Sequence, residues 1–244
     1  MRYVVVVAVV SAMLAGPAMA ALSFHDDFES GMGNWTKHPD ATETLQLAGP
    51  DPWKSIDPGE WGVDPGYSAR QHAYVGGAGY ASYNNFGDES GSITASVYMF
   101  EDLTTSQDPI QSGMTVTPDN ASGEPDYADF LRIGILQWAG TNEFYSYRSA
   151  AGGFVVTDVA RKSGWTKLGI EADAGVGAEV RFYIDDNLVG TSSRSVEDLS
   201  CIMLGMTTDN YENFWYDGVN VTPEPASALL LLLGVPVLLR RKRR

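Results

Sequence analysis

Between Leu22 and Val221 the apolar residues come in short runs, and every run is closed by Gly, Asp, Asn, Pro or Ser. The runs are Leu22 to Phe28, Ala73 to Phe86, Ser92 to Phe100, Phe130 to Trp138, Glu143 to Tyr147, Phe154 to Thr157, Trp165 to Ala172, Val180 to Ile184, Leu188 to Thr191, Cys201 to Thr207 and Phe214 to Val221. They are rich in Val, Ile, Tyr, Phe and Thr, and many alternate with polar residues, the pattern of strands with one buried face. No long helical period appears, and Val196 to Leu199 has room for one turn at most. Such a chain buries its apolar residues by stacking antiparallel sheets, so the fold class is all-β, a sandwich of the jelly-roll kind.

Residues 164–190 hold the clearest local unit. Trp165 to Asp173 reads as a strand, Ala174 to Gly177 as a glycine turn, Glu179 to Ile184 as a second strand and Leu188 onward as a third, with Asp186-Asn187 at the tight turn, where positive backbone angles are needed. This stretch resembles the laminin-G and concanavalin A-like superfamily, in which a tryptophan-led strand is followed by a strand ending in a tyrosine, apolar, Asp, Gly turn; Asn187 stands where that family has glycine. Phe24 to Gly31 with Asn34-Trp35 looks like the opening strand of such modules, and Phe214 to Val221 like the closing one. The resemblance implies that these two strands lie side by side, and that residues 21–221 are one concanavalin A-like antiparallel β-sandwich.

The two ends read differently from the body. Arg2 precedes an apolar stretch from Tyr3 to Leu14, followed by Gly16, Pro17 and the small-residue site Ala18-Met19-Ala20. That is a secretory signal peptide, a helix over residues 1–20 cleaved after Ala20 and handled by Sec export machinery. At the other end, residues 222–244 hold Pro223-Glu224-Pro225, an apolar helix from Ala226 to Leu239, and the cluster Arg240, Arg241, Lys242, Arg243 and Arg244. A permanent span needs about 20 apolar residues, so this segment suits transient insertion, with its basic end held inside. Tripeptide, run and basic end together resemble the PEP-CTERM sorting signal. The resemblance implies recognition and cleavage by an exosortase and delivery of a membrane-inserted precursor to the cell surface or extracellular matrix.

Six of the 16 basic residues, Arg2 and the five of the tail, lie outside residues 21–239, leaving 10 against 31 acidic residues there, a formal charge of −21. A field of that sign repels phosphate backbones, so nucleic acid is not a partner. Cys201, the one cysteine, has apolar neighbours and reads as a buried thiol. With no internal disulfide available, the domain is held by its own core.

Catalytic patterns are missing. Jelly-roll glycosidases set two carboxylates on one strand as Glu-x-Asp-x-(x)-Glu, and neither Glu124-Pro125-Asp126 nor Glu171-Ala172-Asp173 continues to a second Glu. Glu171 and Asp173 share a strand face and are the nearest approach to a dyad. His25, His38 and His72 have no metal-ligand spacing, and His25 reads as solvent-facing. Gly76-Gly77-Ala78-Gly79 reads as a bulge rather than a phosphate loop.

Binding candidates are aromatic and acidic. Trp53, Trp61 and Tyr67 lie among prolines and carboxylates in the loop Gly49 to Tyr67, and Trp138 ends a strand near Tyr145 and Tyr147. Aromatic faces stack on sugar rings and carboxylates accept hydroxyl protons, whereas the same aromatics also serve to close one end of a sandwich. Asp102 to Asp129 reads as one long acidic loop. Asp26, Asp27 and Asp217, near the paired terminal strands, are candidate ligands for a structural Ca2+. The sequence thus points to an exported, non-catalytic surface module whose partner is an exopolysaccharide or other glycan. A glycan-active enzyme of the same fold and a purely structural matrix protein are the alternatives.

Overall fold

A computed structural model describes residues 23–41, 44–48, 68–71, 81–101, 111–126, 130–136, 143–205 and 214–223 of the 244-residue chain. Within them the backbone is strand and turn, with no helix. The strands are β1 (Phe24–Asp26), β2 (Thr36–Lys37), β3 (Gln46–Ala48), β4 (Ser68–Gln71), β5 (Ala81–Glu89), β6 (Ile93–Glu101), β7 (Gln111–Thr117), β8 (Leu131–Leu136), β9 (Phe144–Ser149), β10 (Gly153–Ala160), β11 (Gly164–Ala172), β12 (Glu179–Ile184), β13 (Asn187–Ser193), β14 (Leu199–Gly205) and β15 (Phe214–Pro223). They form two antiparallel sheets. The first runs β13-β12-β11-β6-β15-β4-β3, with β1 also on β15; the second runs β10-β9-β8-β7-β14-β5-β2.

Period-two patterning does the work in the first sheet. In β11 burial alternates without exception, putting Leu168, Ile170 and Ala172 inward and Lys167, Gly169 and Glu171 outward. Valine, leucine, isoleucine and aromatic side chains from both sheets meet between them, among them Val97, Met99, Phe182, Phe214 and Val221 from the first, and Met114, Ile133, Tyr147 and Leu204 from the second. Burying each large apolar side chain contributes about 1.5–3 kcal/mol. Tyr147 stacks on Phe182 across this interface, ring centroids 4.5 Å apart. Tyr145 is also fully buried, so both tyrosines belong to the core rather than to an aromatic strip.

Polar bolts also cross between the sheets. Tyr216 pairs its hydroxyl with that of Ser112 and accepts the Gly113 N–H at 3.0 Å. Tyr145 donates to Glu101 Oε1 at 2.6 Å, and Arg161 Nε donates to Glu101 Oε2 at 2.8 Å. Burial first, then the Glu101 carboxylate, pushes the Tyr145 hydroxyl well above its ordinary range, so it remains a donor. Arg194, 1% exposed, donates to the carbonyls of Gly91, Asp173 and Val196 and ties three turns together.

Several expectations hold and others need correction. Strands β1 and β15 pair as the resemblance implied, Phe24 opposite Val221 and Asp26 opposite Val219. The β11-β12-β13 unit is there, but its tight turn is Asp185-Asp186, with φ of 49° and 62°, and Asn187 already pairs with Ile184. The turn sits one residue early because Asp185 is anchored: its N–H donates to Lys167 O, and its carboxylate accepts from Lys167 N–H and Lys162 Nζ. The stretch Asp102 to Asp129 is not one loop, since β7 lies inside it, buried at every position. β15 continues to Pro223, so Thr222 and Pro223 pair with Thr94 and Ile93. The terminal helices, the cleavage residues Ala18 and Ala20, Glu224, Pro225 and Arg240 to Arg244 lie outside the described residues, as does the run Gly76 to Gly79. Cys201 is a fully buried thiol, and His25 is exposed.

Candidate functional site

Directly opposed residues of neighbouring strands share a face, so register assembles the outer face of the first sheet row by row. One row runs Asn220, Ser96, Gly169, Tyr183 across β15, β6, β11 and β12. The next runs Thr222, Thr94, Glu171, Arg181; on the other side lie Asp217, Tyr98 and Lys167, and then Trp215, Phe100 and Trp165. Small side chains in the first row, beside Tyr183, leave a hollow of about 380 Å3 reached by Lys167, Glu171, Tyr183, Asp186 and Asn220.

Gly169 is the floor. A Cβ there would meet Tyr183 Cβ at 3.3 Å, so the glycine lets the tyrosine lean over the strand. Tyr98 packs likewise on Gly218, whose φ of 57° belongs to the bulge between Asp217 and Asn220. Phe100 stands edge-on to both Trp165 and Trp215, centroids 5.4 and 5.5 Å apart. An aromatic ladder thus borders a polar trough.

The charged groups of the trough are engaged with one another. Arg181 binds Asp173 through both terminal nitrogens at 3.2 and 2.6 Å, Glu179 at 2.8 Å and Glu171 at 3.1 Å. Tyr183 donates to the same Glu171 oxygen at 2.7 Å. That bond, followed by burial, raises the Tyr183 hydroxyl above its ordinary value and keeps it protonated. Lys167 reaches Asp186 at 2.7 Å. Glu171 and Asp173 do share a face, but both accept from one guanidinium. A glycosidase needs one carboxyl that gives its proton to a leaving group and another that attacks or activates water across the bond; a pair clamped on one arginine presents neither. What the trough offers is donors, acceptors and ring faces fixed by the sheet.

No protein-family model matches this chain, and no curated protein matches it. Solved structures do. A Bacillus licheniformis β-glucanase superposes with a TM-score of 0.53 at 12% identity, covering 83% of this chain and 98% of its own. The cellulose-induced protein Cip1 gives 0.51 at 13% identity, covering 82% and 96%. The globular domain of T. cruzi calreticulin gives 0.51 at 10% identity, covering 86% and 91%. The fold is the concanavalin A-like jelly roll. At these identities the likeness is one of fold, and a jelly roll hosts many chemistries, so the site must be argued from its residues.

The sequence candidates are distributed as follows. Trp53, Trp61, Tyr67 and Trp138 lie outside the described residues. Asp26 is buried in the opening turn of the jelly roll, where Oδ1 accepts the Phe28 N–H at 2.8 Å and Oδ2 accepts Trp35 Nε1 at 3.0 Å and Asn34 Nδ2 at 3.3 Å. Asp27 is exposed and caps the Glu29 N–H. Asp217 stands opposite Tyr98 and accepts the Gly218 N–H at 2.6 Å. Both Asp26 oxygens are thus filled by donors, Asp217 holds a bulge, and among the described residues no three His, Cys, Asp or Glu side chains converge on one point. In the acidic stretch, Asp119 accepts from Asn85 and Ser200, and Asn120 with Glu124 closes a compact turn.

Tyr98, Gly169, Tyr183 and Asn220 are absent from the sequence candidates. The outward positions of β11 were readable by alternation from Trp165, but the strands beside it are set by long-range register, which no local pattern carries.

Proposed function

We propose that this chain is an exported, exosortase-sorted protein of the cell surface or extracellular matrix whose jelly roll binds a glycan without cleaving it. The observation that carries the reading is the trough on the first sheet. Tyr183 supplies a ring beside a glycine floor, Tyr98 stands one row away on Gly218, and Ser96, Thr94, Asn220 and Lys167 supply hydroxyl, amide and ammonium groups at fixed spacing. Sugar rings need this combination, with apolar C–H faces on aromatics and hydroxyls on pre-placed polar groups. Because the groups sit on strands rather than loops, little ordering entropy is lost on binding. The signal peptide and the Pro-Glu-Pro tail supply the address and name the partners, the Sec machinery and an exosortase.

The β-glucanase of the same fold makes the enzymatic alternative concrete. The two are separated by electrophoresis of the intact protein through gels cast with neutral glucans, followed by product analysis. Retardation that disappears in Tyr183→Ala, with the polysaccharide unshortened, is the expected result. Shortened chains would make the protein an enzyme, and free migration through every glycan would leave a structural matrix role.

A further inference from the structure

The row that floors the trough runs further than the trough itself. Followed outward by register it reads His25, Asn220, Ser96, Gly169, Tyr183, Leu188 across β1, β15, β6, β11, β12 and β13, from one edge strand to another. Every member is exposed or half-buried, and none is a carboxylate, ammonium or guanidinium. The charges nearby are paired off, Arg181 with Glu171 and Lys167 with Asp186. At the β13 end Leu188, opposite Tyr183, is 55% exposed. At the β1 end His25 lines a second hollow of about 300 Å3 with Asn34, Asn84 and Asn85. Its register partner Asn220 lines the first hollow, so the two lie one strand spacing apart, about 4.8 Å. The amides of the second hollow are held in place: Asn84 Nδ2 donates to Asn34 O at 2.7 Å, Asn85 Nδ2 to Asp119 at 2.8 Å, and Asn34 Nδ2 to Asp26 at 3.3 Å.

We propose that this row is one continuous path for a chain of about five neutral sugars, with the β1-edge hollow as the subsite at one end and Leu188 at the other. Six strands at about 4.8 Å spacing extend it to about 24 Å, which matches about five pyranose units. Imidazole, amide and hydroxyl groups along it meet ring hydroxyls, each of which both donates and accepts, while Tyr183 and Leu188 take apolar C–H faces. Amides already fixed by the fold lose little entropy when a sugar reaches them. An uncharged row flanked by charges that satisfy one another suits a neutral chain rather than an ionic one. The path rests on the trough being a glycan site; what it adds is the length of the ligand and the two ends that read it.

Calorimetric titration of the intact protein with oligosaccharides of two to seven units, drawn from cellulose, laminarin, mannan and amylose, tests the path. In at least one series affinity climbs with each added unit to about five and then levels off. His25→Ala and Leu188→Ala each weaken the five-unit oligomer by about tenfold, the loss of one good contact. Both residues are exposed, so neither variant moves the unfolding midpoint, and neither changes the affinity for the two-unit oligomer. Tyr183→Ala, in the body of the trough, weakens every length. A disaccharide bound as tightly as the heptasaccharide, or undiminished affinity for the five-unit oligomer in either end variant, would overturn the path and leave the trough a short site. Failure of every series to bind the wild-type protein would overturn the glycan reading of the trough and the path with it.

Discussion

Tyr183, Glu101 and His38 show how single side chains divide the labour. Tyr183 is held by Glu171 and by the empty space above Gly169, so it contributes to a surface and little to the core. Glu101 is the reverse, a carboxylate fully buried between the sheets. Glu101→Gln keeps the shape but turns Arg161, 5% exposed, toward an uncharged amide. Chemical denaturation should show a loss of about 3 kcal/mol, part of which returns in Glu101→Gln with Arg161→Met. His38 is 1% exposed, and its Nδ1 accepts the Asp40 N–H, a bond that only the unprotonated nitrogen makes. Burial lowers its pKa below the ordinary 6.5, against a smaller opposing pull from Asp40. The unfolded chain then takes up a proton that the folded one refuses. The stability His38 supports is full above about 6.5 and falls as the pH drops through that value toward the lower folded one. Unfolding midpoints between pH 7.5 and 5.5 should drop less in His38→Gln than in wild type.

At the level of elements, β7 and β8 meet backbone to backbone, with no room for a side chain at their paired glycines. Gly113 and Gly134 are paired, and a Cβ on Gly134 would stand 2.2 Å from Ser112 O, a backbone atom that cannot swing aside. Gly134→Ala should therefore cost about 2 kcal/mol or more, read as a lower denaturation midpoint, whereas alanine at Gly175, with nothing within 4 Å, meets only the strain of its φ of 91°. This close pairing also explains why β7 escapes a reading of the sequence. Gln111-Ser-Gly-Met-Thr-Val-Thr117 has no apolar run, because small and hydroxyl residues are what the crowded middle of the second sheet accommodates. By contrast β11, β12 and β13 announce themselves through alternation and a turn, and the one-residue error there arose because Asp185 is held by Lys162 and Lys167, partners a local turn rule does not include. The trough was hidden for the same reason: Asn220 and Tyr183 lie 37 positions apart in sequence and share a row only through the register of β6 and β11.

For the molecule as a whole, the fold was legible in the sequence and the trough was not. Short runs closed by turn residues specify a sandwich because stacked antiparallel sheets bury them, and the proposed terminal signals are contiguous strings that can be read without a fold. Mass spectrometry of the native protein tests the address: the account expects Ala226 to Arg244 to be absent, and a protein retaining them is an anchored one. The acidic balance keeps neighbouring copies apart at high local concentration, since like charges repel. The most direct test of the central claim is a broad array of neutral glycans probed with wild-type protein and Tyr183→Ala, with and without chelator, each hit then incubated and analysed for products. The account predicts a defined set of glycans bound by wild type, lost in Tyr183→Ala, indifferent to chelation and released unchanged. Binding that survives Tyr183→Ala, or any glycan returned in shortened form, would contradict it.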